Sequence, residues 1–220
     1  MADITIRDLN KYYGENHVLK GITFDVFQGE KIGLIGKNGA GKTTLFKILS
    51  GTEDYDSGVL SLSNRERVGV LDQIPDYPED YTVTDVLTTA FERLLKLKAE
   101  MRELEVAMES DPDSGLVKRY GLTQTEFESM GGYVINSTIA TVCNGLDIDA
   151  DMQNRAFKLL SGGEKTRVNL GRIMLQDTGI MLLDEPTNHL DISSVEWLEE
   201  YLGQYKGTIV AISHDRYFLD

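Results

Sequence analysis

A glycine-rich stretch, Gly36 to Thr44 with the sequence GKNGAGKTT, has the spacing G-x-x-x-x-G-K-[ST]. Its glycines let the backbone turn sharply and direct successive amides at phosphate oxygens, and a helix starting near Lys42 adds its positive dipole end. Lys42 would place an ammonium between the outer phosphates, and the Thr43 hydroxyl would ligate magnesium. The pattern predicts a site for a magnesium-bound triphosphate. The alternative, a plain glycine-rich turn, is disfavoured because an apolar strand precedes the stretch and a helix follows it.

Two carboxylates, Asp184 and Glu185, follow the apolar run Ile180 to Leu183. The run is typical of a buried strand whose carboxyl end presents charge. Asp184 would hold magnesium, directly or through water, and Glu185 would polarise an attacking water. Phosphoryl transfer depends mainly on such positioning and on charge neutralisation. An acidic pair after a strand is a weak signal alone, and the glycine-rich stretch upstream makes it strong.

A second candidate anion site is the segment Leu160 to Glu164, with the sequence LSGGE. Two glycines at a helix start offer free amides, and Ser161 adds a hydroxyl. The chain thus has two phosphate cradles and one lysine-bearing loop. The simplest interpretation is that the second cradle serves a nucleotide held by another domain of the same kind.

Alternating apolar residues in two N-terminal segments predict an antiparallel hairpin. Apolar strands and helices then alternate, which is typical of a parallel sheet. A capping-box pattern at Thr82 begins one amphipathic helix of about 25 residues from Val83. A turn, two further helices and a loop of acidic residues follow. The predicted strands cover 4–9, 22–26, 31–36, 59–62, 67–71, 180–183 and 208–213, and the predicted helices 43–49, 83–108, 116–130, 134–144, 162–176 and 193–201.

The composition of the 220 residues, 41% hydrophobic and 26% charged, is ordinary for a soluble globular protein. No apolar run approaches the roughly 18 residues of a membrane helix, and the N-terminus lacks the features of a signal peptide. The net charge of −14 disfavours a free-standing nucleic-acid binder without counting against ATP. The lone Cys143 is interpreted as a helix-packing residue. We therefore expect a cytoplasmic protein with no membrane partner.

In their order along nearly the whole chain, these motifs resemble those of ATP-binding cassette proteins. The resemblance implies an α/β fold, the P-loop NTPase of the cassette type, with a mixed sheet core, an antiparallel β subdomain and a helical subdomain. It also implies that residues 1–220 form one nucleotide-binding domain, truncated at its C-terminus, with ATP and magnesium as ligands and a second cassette as partner. The LSGGE segment resembles the signature motif that contacts the partner's ATP; its residues are Leu160, Ser161, Gly162, Gly163 and Glu164.

Individual roles follow from the same resemblance. Tyr13 matches the aromatic residue that stacks on adenine, although it could instead pack within the hairpin. Leu190-Asp191 matches the loop that crosses the dimer interface. The implied ATP-binding residues are Tyr13, Gly36, Lys37, Asn38, Gly39, Ala40, Gly41, Lys42, Thr43, Thr44 and Gln73. The implied magnesium ligands are Thr43, Gln73 and Asp184, and the implied catalytic residues are Lys42, Glu185 and His214, the last at the γ-phosphate.

Two segments, LDEPTNHLD with Asn188-His189 and the run SHDRYF from Ser213, resemble the ABC-F subfamily rather than transporter cassettes. That subfamily has two cassettes per chain and no membrane domain, and many members act on the ribosome, so rRNA and tRNA are candidate partners. Residues 91–132 match its helical-hairpin arm, or else an elongated helical subdomain. Two departures stand out. The hairpin has six Lys or Arg against nine Asp or Glu, and the chain stops at Asp220, so we expect the first cassette of a longer protein.

Three functions compete at this point. An ABC-F factor predicts a second cassette and association with ribosomes, and an ABC transporter subunit predicts a surface that docks a membrane partner. A nucleotide-sensing scaffold without catalysis is disfavoured because the candidate catalytic residues are intact. The sequence does not distinguish a translation factor from an antibiotic-resistance factor.

Overall fold

The structure is a computed structural model that describes residues 2–63, 68–71, 74–110, 114–176 and 178–213. Among these residues no helix is long and apolar enough to cross a membrane. The strands are β1 (Ala2–Tyr13), β2 (Asn16–Phe27), β3 (Lys31–Leu34), β4 (Ser57–Leu62), β5 (Val68–Leu71), β6 (Ile180–Asp184) and β7 (Thr208–Ile212). The α-helices are α1 (Lys42–Leu49), α2 (Val83–Thr88), α3 (Glu92–Ser110), α4 (Ser114–Ser129), α5 (Ile135–Gly145), α6 (Ala150–Asn154), α7 (Gly162–Leu175) and α8 (Ile192–Gln204).

Two sheets organise the chain. The first is antiparallel, with strand order β2-β1-β4, and the second is parallel, with order β3-β7-β6-β5. The parallel strand β6 is buried on both faces, which explains its unbroken apolar run. Ile180 and Leu182 contact the core shared with the antiparallel sheet and α1, whereas Met181 and Leu183 contact the core shared with the helices. The parallel sheet therefore lies between two hydrophobic cores, which fix the carboxyl ends of its strands.

Helices α3 and α4 form a hairpin with a small core of its own. Leu94 and Met101 from α3 meet Phe127 from α4, and all three side chains are at most 8% exposed. This hairpin accounts for most of the predicted arm, residues 91–132. The predicted hairpin of two helices is confirmed as a structure, and its assignment as an arm stays a prediction.

The single long helix predicted from Val83 is wrong, because a 3-10 turn at Thr89–Phe91 separates α2 from α3. The Thr88 hydroxyl donates to Thr84 O at 2.7 Å, and the Thr89 hydroxyl donates to Val86 O at 2.6 Å. Such bonds compete with the helical amides for the same carbonyls and bend the helix.

The acidic loop predicted after residue 144 is also wrong in part, because it contains the short helix α6. Asp149 caps this helix by accepting a hydrogen bond from the Met152 amide at 2.7 Å. The other predicted elements are confirmed; their ends differ by up to three residues, except that β1 ends four residues later and β2 begins six residues earlier than predicted.

Candidate functional site

The glycine-rich loop leads directly from β3 into α1. Gly39 and Gly41 have φ of 80° and 91°, the left-handed region that other residues rarely adopt. A Cβ on Gly41 would also lie 2.7 Å from Leu19 Cδ2, so only glycine fits against β2 at this point. No side chain of the described residues caps the start of α1. The first-turn amides, which lack intrahelical partners, are therefore available to an anion.

Lys42 lies across this loop. Its ammonium donates to Gly36 O at 2.7 Å and to Lys37 O at 3.2 Å. The Ala40 amide donates to Lys37 O at 3.1 Å and closes the turn between them. An ammonium has three donors, and both carbonyl partners belong to the loop itself. Lys42 is thus held at the loop where phosphate oxygens could replace those carbonyls.

The carboxylates Asp184 and Glu185 stand at the end of β6. Asp184 is paired in register with Ile212 of β7, and the Glu185 amide donates to Ile212 O at 2.8 Å. Glu185 has φ of 48°, which costs a non-glycine residue about 1–2 kcal/mol. The buried parallel sheet holds this strained conformation, and strain of this kind occurs mainly at functional sites.

One cavity of about 540 Å³ joins these groups. Its lining comes from the hairpin, the glycine-rich loop and the carboxyl edge of the parallel sheet, namely Asn16, Val18, Asn38, Gly39, Gly41, Lys42, Thr43, Thr44, Asp184, Glu185 and Ile212. The structure therefore brings the predicted phosphate loop and both predicted carboxylates to the same place.

The donors at this cavity fit magnesium. Thr43 offers a hydroxyl and Asp184 a carboxylate, and Mg²⁺ is usually held by one or two such protein oxygens together with phosphate oxygens and water. Within the described ranges, no cluster of three or more His, Cys, Asp or Glu side chains could hold a metal by itself. Thr43 and Asp184 could therefore hold a magnesium ion together with phosphate oxygens of a nucleotide.

Tyr13 ends β1 beside the cavity. Its cross-strand partner is Asn16, a lining residue, and its own side chain is 46% exposed. The Lys11 ammonium lies 5.2 Å from the centre of the Tyr13 ring. The exposed ring is accessible beside the cavity, and its predicted contact with a base stays a prediction.

Two predicted site residues, Gln73 and His214, lie outside the described residues. Their roles, at magnesium for Gln73 and at the γ-phosphate for His214, stay predictions.

The predicted signature segment begins α7. Ser161 and Glu164 form a capping box, in which the Glu164 amide donates to Ser161 Oγ at 3.3 Å and the Ser161 amide donates to Glu164 Oε2 at 2.8 Å. Arg155 also donates to Glu164, and this bond, with those from Ser161, lowers the pKa of Glu164 to about 2. The Glu164 carboxylate is therefore already bonded to Arg155 and to the Ser161 amide at the start of its own helix. The amides of Gly162 and Gly163, at a helix start, have no intrahelical acceptor.

The signature segment lies away from the cavity that Lys42 lines. None of its five residues, all of them described, lines the cavity of the glycine-rich loop. Leu160 is buried in the helical core, whereas Ser161 and Gly162 are exposed. This separation agrees with the prediction that the segment serves a nucleotide bound elsewhere.

A contact that the sequence did not predict joins the signature helix to the loop after Glu185. Arg167 donates to His189 O and to Asp147 O, each at 3.2 Å. A Cβ on Gly163 would lie 3.2 Å from the His189 ring. No local signal in the sequence could reveal this contact, because it depends on tertiary packing.

Asp191, predicted to lie in an interface loop, is the N-cap of α8. It accepts hydrogen bonds from the Ser194 amide at 3.1 Å and the Ser193 hydroxyl at 2.8 Å. Hydrogen bonds from Ser194 and then from Ser193 lower the pKa of Asp191 to about 2. Its structural role is thus clear, and its part in an interface stays a prediction.

Comparison with known proteins finds relatives that all carry ATP-binding cassettes. Residues 19–188 match the family described as ABC transporter. The energy-dependent translational throttle protein EttA of Escherichia coli (strain K12) is 37% identical over 94% of this chain and 37% of its own length. ABC transporter F family member 5 of Arabidopsis thaliana is 35% identical over the whole chain and 32% of its own length. A solved ATP binding subunit of an ABC transporter has the same fold, with a TM-score of 0.65 at 21% identity over 96% of this chain and 79% of that one. The chain spans 32 to 43% of the length of the curated relatives it matches best.

Proposed function

Because the chain belongs to the ABC transporter family of ATPase domains, we propose that it binds ATP with magnesium and hydrolyses it to ADP and phosphate. One observation supports this proposal most strongly. The amides of the glycine-rich loop, the Lys42 ammonium and the two carboxylates after β6 meet at one cavity. Phosphoryl transfer to water needs this combination of positive donors, magnesium ligands and a water-orienting group.

In the proposed complex, the triphosphate lies on the loop from Gly36 to Thr44 with Lys42 between its outer phosphates. The base stacks against Tyr13. Thr43 and Asp184, with Gln73, hold magnesium, which when bound neutralises phosphate charge and makes the γ-phosphorus easier to attack. The loop supplies binding and alignment, which account for most of the catalysis expected of such a site.

Hydrolysis then depends on residues at the strand end. Glu185 orients and polarises a water so that its oxygen attacks the γ-phosphorus, while the bond to the bridging oxygen of ADP breaks. The water's proton leaves toward Glu185, and His214 contacts the γ-phosphate. The strained backbone of Glu185 and the hydrogen bond from its amide to β7 support this assignment. Together they fix the backbone position from which the Glu185 side chain extends toward the loop.

We further infer that two cassettes act as a pair. In this arrangement the segment Leu160 to Glu164 contacts the γ-phosphate of ATP held by the partner cassette, and the partner's equivalent segment completes the Lys42 site. ATP binding closes the pair, and hydrolysis opens it. The exposure of Ser161 and Gly162, away from the cassette's own cavity, supports this arrangement.

The finer proposal is that the whole protein is a cytoplasmic ABC-F factor that acts on the ribosome in translation. It is supported by relatives named a translational throttle protein and an ABC transporter F family member.

In this proposal α3 and α4 are the helical-hairpin arm. Three of its six cations form ion pairs within the described residues, Arg93–Glu126 at 2.5 Å, Arg119–Glu100 at 2.5 Å and Lys96–Glu92 at 2.6 Å. The alternative is a cytoplasmic ATPase subunit of an ABC transporter. Co-sedimentation of the whole protein with ribosomes in the presence of ATP supports the ABC-F proposal, and its absence contradicts it.

The catalytic proposal is tested by Glu185→Gln. We expect ATP affinity to stay within about twofold and turnover to fall by a hundredfold or more, the usual contribution of a positioned acid–base group. Glu199→Gln, on the exposed face of α8, makes the same change of charge and should keep normal turnover. Normal turnover in Glu185→Gln would remove Glu185 from its proposed role.

Pairing is tested by the concentration dependence of the ATPase rate. We expect the specific rate of residues 1–220 to rise with protein concentration and to stay well below that of a protein with both cassettes. An equal rate per site in the dilute single cassette and in the two-cassette protein would contradict the shared site.

A further inference from the structure

Beneath the proposed base-stacking residue lies an unusual lysine. Lys11 is only 9% exposed although it carries a charge, which is uncommon for this residue type. It lies within β1, two positions before Tyr13, at an irregularity in the pairing with β2. Its ammonium lies over the Tyr13 ring, 5.2 Å from the ring centre.

The Lys11 ammonium is held in place by two acceptors in the segment after α1. It forms an ion pair with Glu53 Oε1 at 2.7 Å and donates to Asp54 O at 2.6 Å. Hydrogen bonding to Glu53 raises the pKa of Lys11 despite its burial, and hydrogen bonds from Lys11 and then Tyr13 lower the pKa of Glu53. Each group therefore favours the charged form of the other. An ammonium so engaged is not positioned to take a phosphate.

We infer that Lys11, fixed by Glu53, is a positioning residue that holds the Tyr13 ring for the base of the nucleotide. The inference rests on the proposed function, because it concerns the base end of the same nucleotide site. The ammonium covers one face of the ring, and the ring as a whole stays 46% exposed, which leaves surface for a base. A cation at this distance is attracted by the quadrupole of the ring, so the ammonium holds the ring in one orientation.

The geometry also links the base end to the phosphate end. Glu53 and Asp54 follow α1, whose N-terminus carries the glycine-rich loop, and the Thr52 and Glu53 amides both donate to Lys47 O near the end of that helix. Lys11 therefore attaches the tip of the β1–β2 hairpin to the far end of the helix that begins at Lys42. This attachment is one of the contacts that hold the hairpin tip against the helix carrying the phosphate loop, together with the packing of Gly41 against Val18 and Leu19.

The test compares ATP with inorganic tripolyphosphate, both with magnesium, by calorimetry. Lys11→Met keeps the aliphatic stem and removes the charge, and Lys11→Arg keeps the charge. We expect Lys11→Met to weaken ATP binding by about two- to tenfold, the usual cost of ordering one freed side chain on binding. Tripolyphosphate affinity should not change, and Lys11→Arg should recover most of the ATP affinity. Lys118→Met, an exposed lysine on α4, controls for the loss of one positive charge.

Two outcomes for Lys11→Met would overturn the inference. Equal losses of affinity for ATP and tripolyphosphate would mean a general structural role. Unchanged ATP affinity would mean that Lys11 does not position the ring. If Lys11→Met does not fold, the double variant Lys11→Met/Glu53→Gln, which leaves no unpaired carboxylate, takes its place under the same criteria. A folded wild-type protein that binds neither ligand would instead refute the proposed function, which distinguishes the two failures.

Discussion

Replacing Gly41 by alanine tests the tightest contact of the glycine-rich loop. Gly41 has φ of 91°, and a Cβ there would lie 2.7 Å from Leu19 Cδ2, 3.1 Å from Val18 Cγ1 and 3.4 Å from Val18 O. The left-handed conformation costs an alanine about 1–2 kcal/mol. The overlap with β2 adds about 1–3 kcal/mol, as overpacking usually does. We therefore expect Gly41→Ala to lower the free energy of unfolding by about 2–5 kcal/mol.

Two other glycines separate the backbone cost from the packing cost. Gly39 and Gly51 have φ of 80° and 76°, and a Cβ at either would meet no atom within 4 Å. Alanine at these positions should cost only about 1–2 kcal/mol of unfolding free energy. Gly39→Ala should also weaken ATP binding, because Gly39 lies in the loop, whereas Gly51→Ala should not.

The assay is urea unfolding followed by far-UV circular dichroism, with ATP affinity measured on the folded variants. The effect of each substitution on the unfolded chain is similar in all three, so it cancels in their differences. A Gly41→Ala variant as stable as Gly51→Ala would refute the packing of the loop against β2. Equal ATP affinity of Gly39→Ala and Gly51→Ala would refute the role of the loop in phosphate binding.

Two further predictions concern pH and thiol chemistry. The pKa of Glu164 falls from 4.5 to about 2 and that of Asp191 from 3.8 to about 2 on folding, so their stabilisation is complete above about pH 5 and is lost as the pH falls toward 2. Unfolding midpoints measured from pH 6 to pH 2.5 should fall less steeply for Glu164→Gln than for the wild type; parallel curves would contradict this. Cys143 is fully buried, and burial raises its thiol pKa to about 11. A thiol reagent at pH 8 should therefore modify it only after denaturation, and rapid labelling of the folded protein would contradict the packing.

The features that the sequence predicted well are local. The glycine-rich loop needs no distant residue to define it, because its glycines, Lys42 and the following helix all lie within one segment. The apolar run before Asp184 likewise predicts a buried strand from its own composition. The predicted fold class and the resemblance to ABC-F cassettes are confirmed by the solved relative and by the curated ones.

The features that it missed depend on competition between local signals or on distant contacts. The break at Thr89–Phe91 arises because threonine hydroxyls bond to helix carbonyls, which an apolar periodicity does not report. The cap that Asp149 gives to α6 could have been found, since an aspartate before a short polar helix is a standard start signal. The Lys11–Glu53 ion pair could not have been predicted from the sequence, because 42 positions separate its partners along the chain.

The central claim is that the loop from Gly36 to Thr44 binds a magnesium-chelated triphosphate through its amides and Lys42. Titration of magnesium-ATP into the folded protein, its Lys42→Ala variant and the control Lys118→Ala measures this directly. We predict saturable binding by the wild type and the control, and a loss of about tenfold or more in Lys42→Ala, as expected for charge-assisted hydrogen bonds. Absence of binding by the folded wild type, or equal affinity in Lys42→Ala, would contradict it.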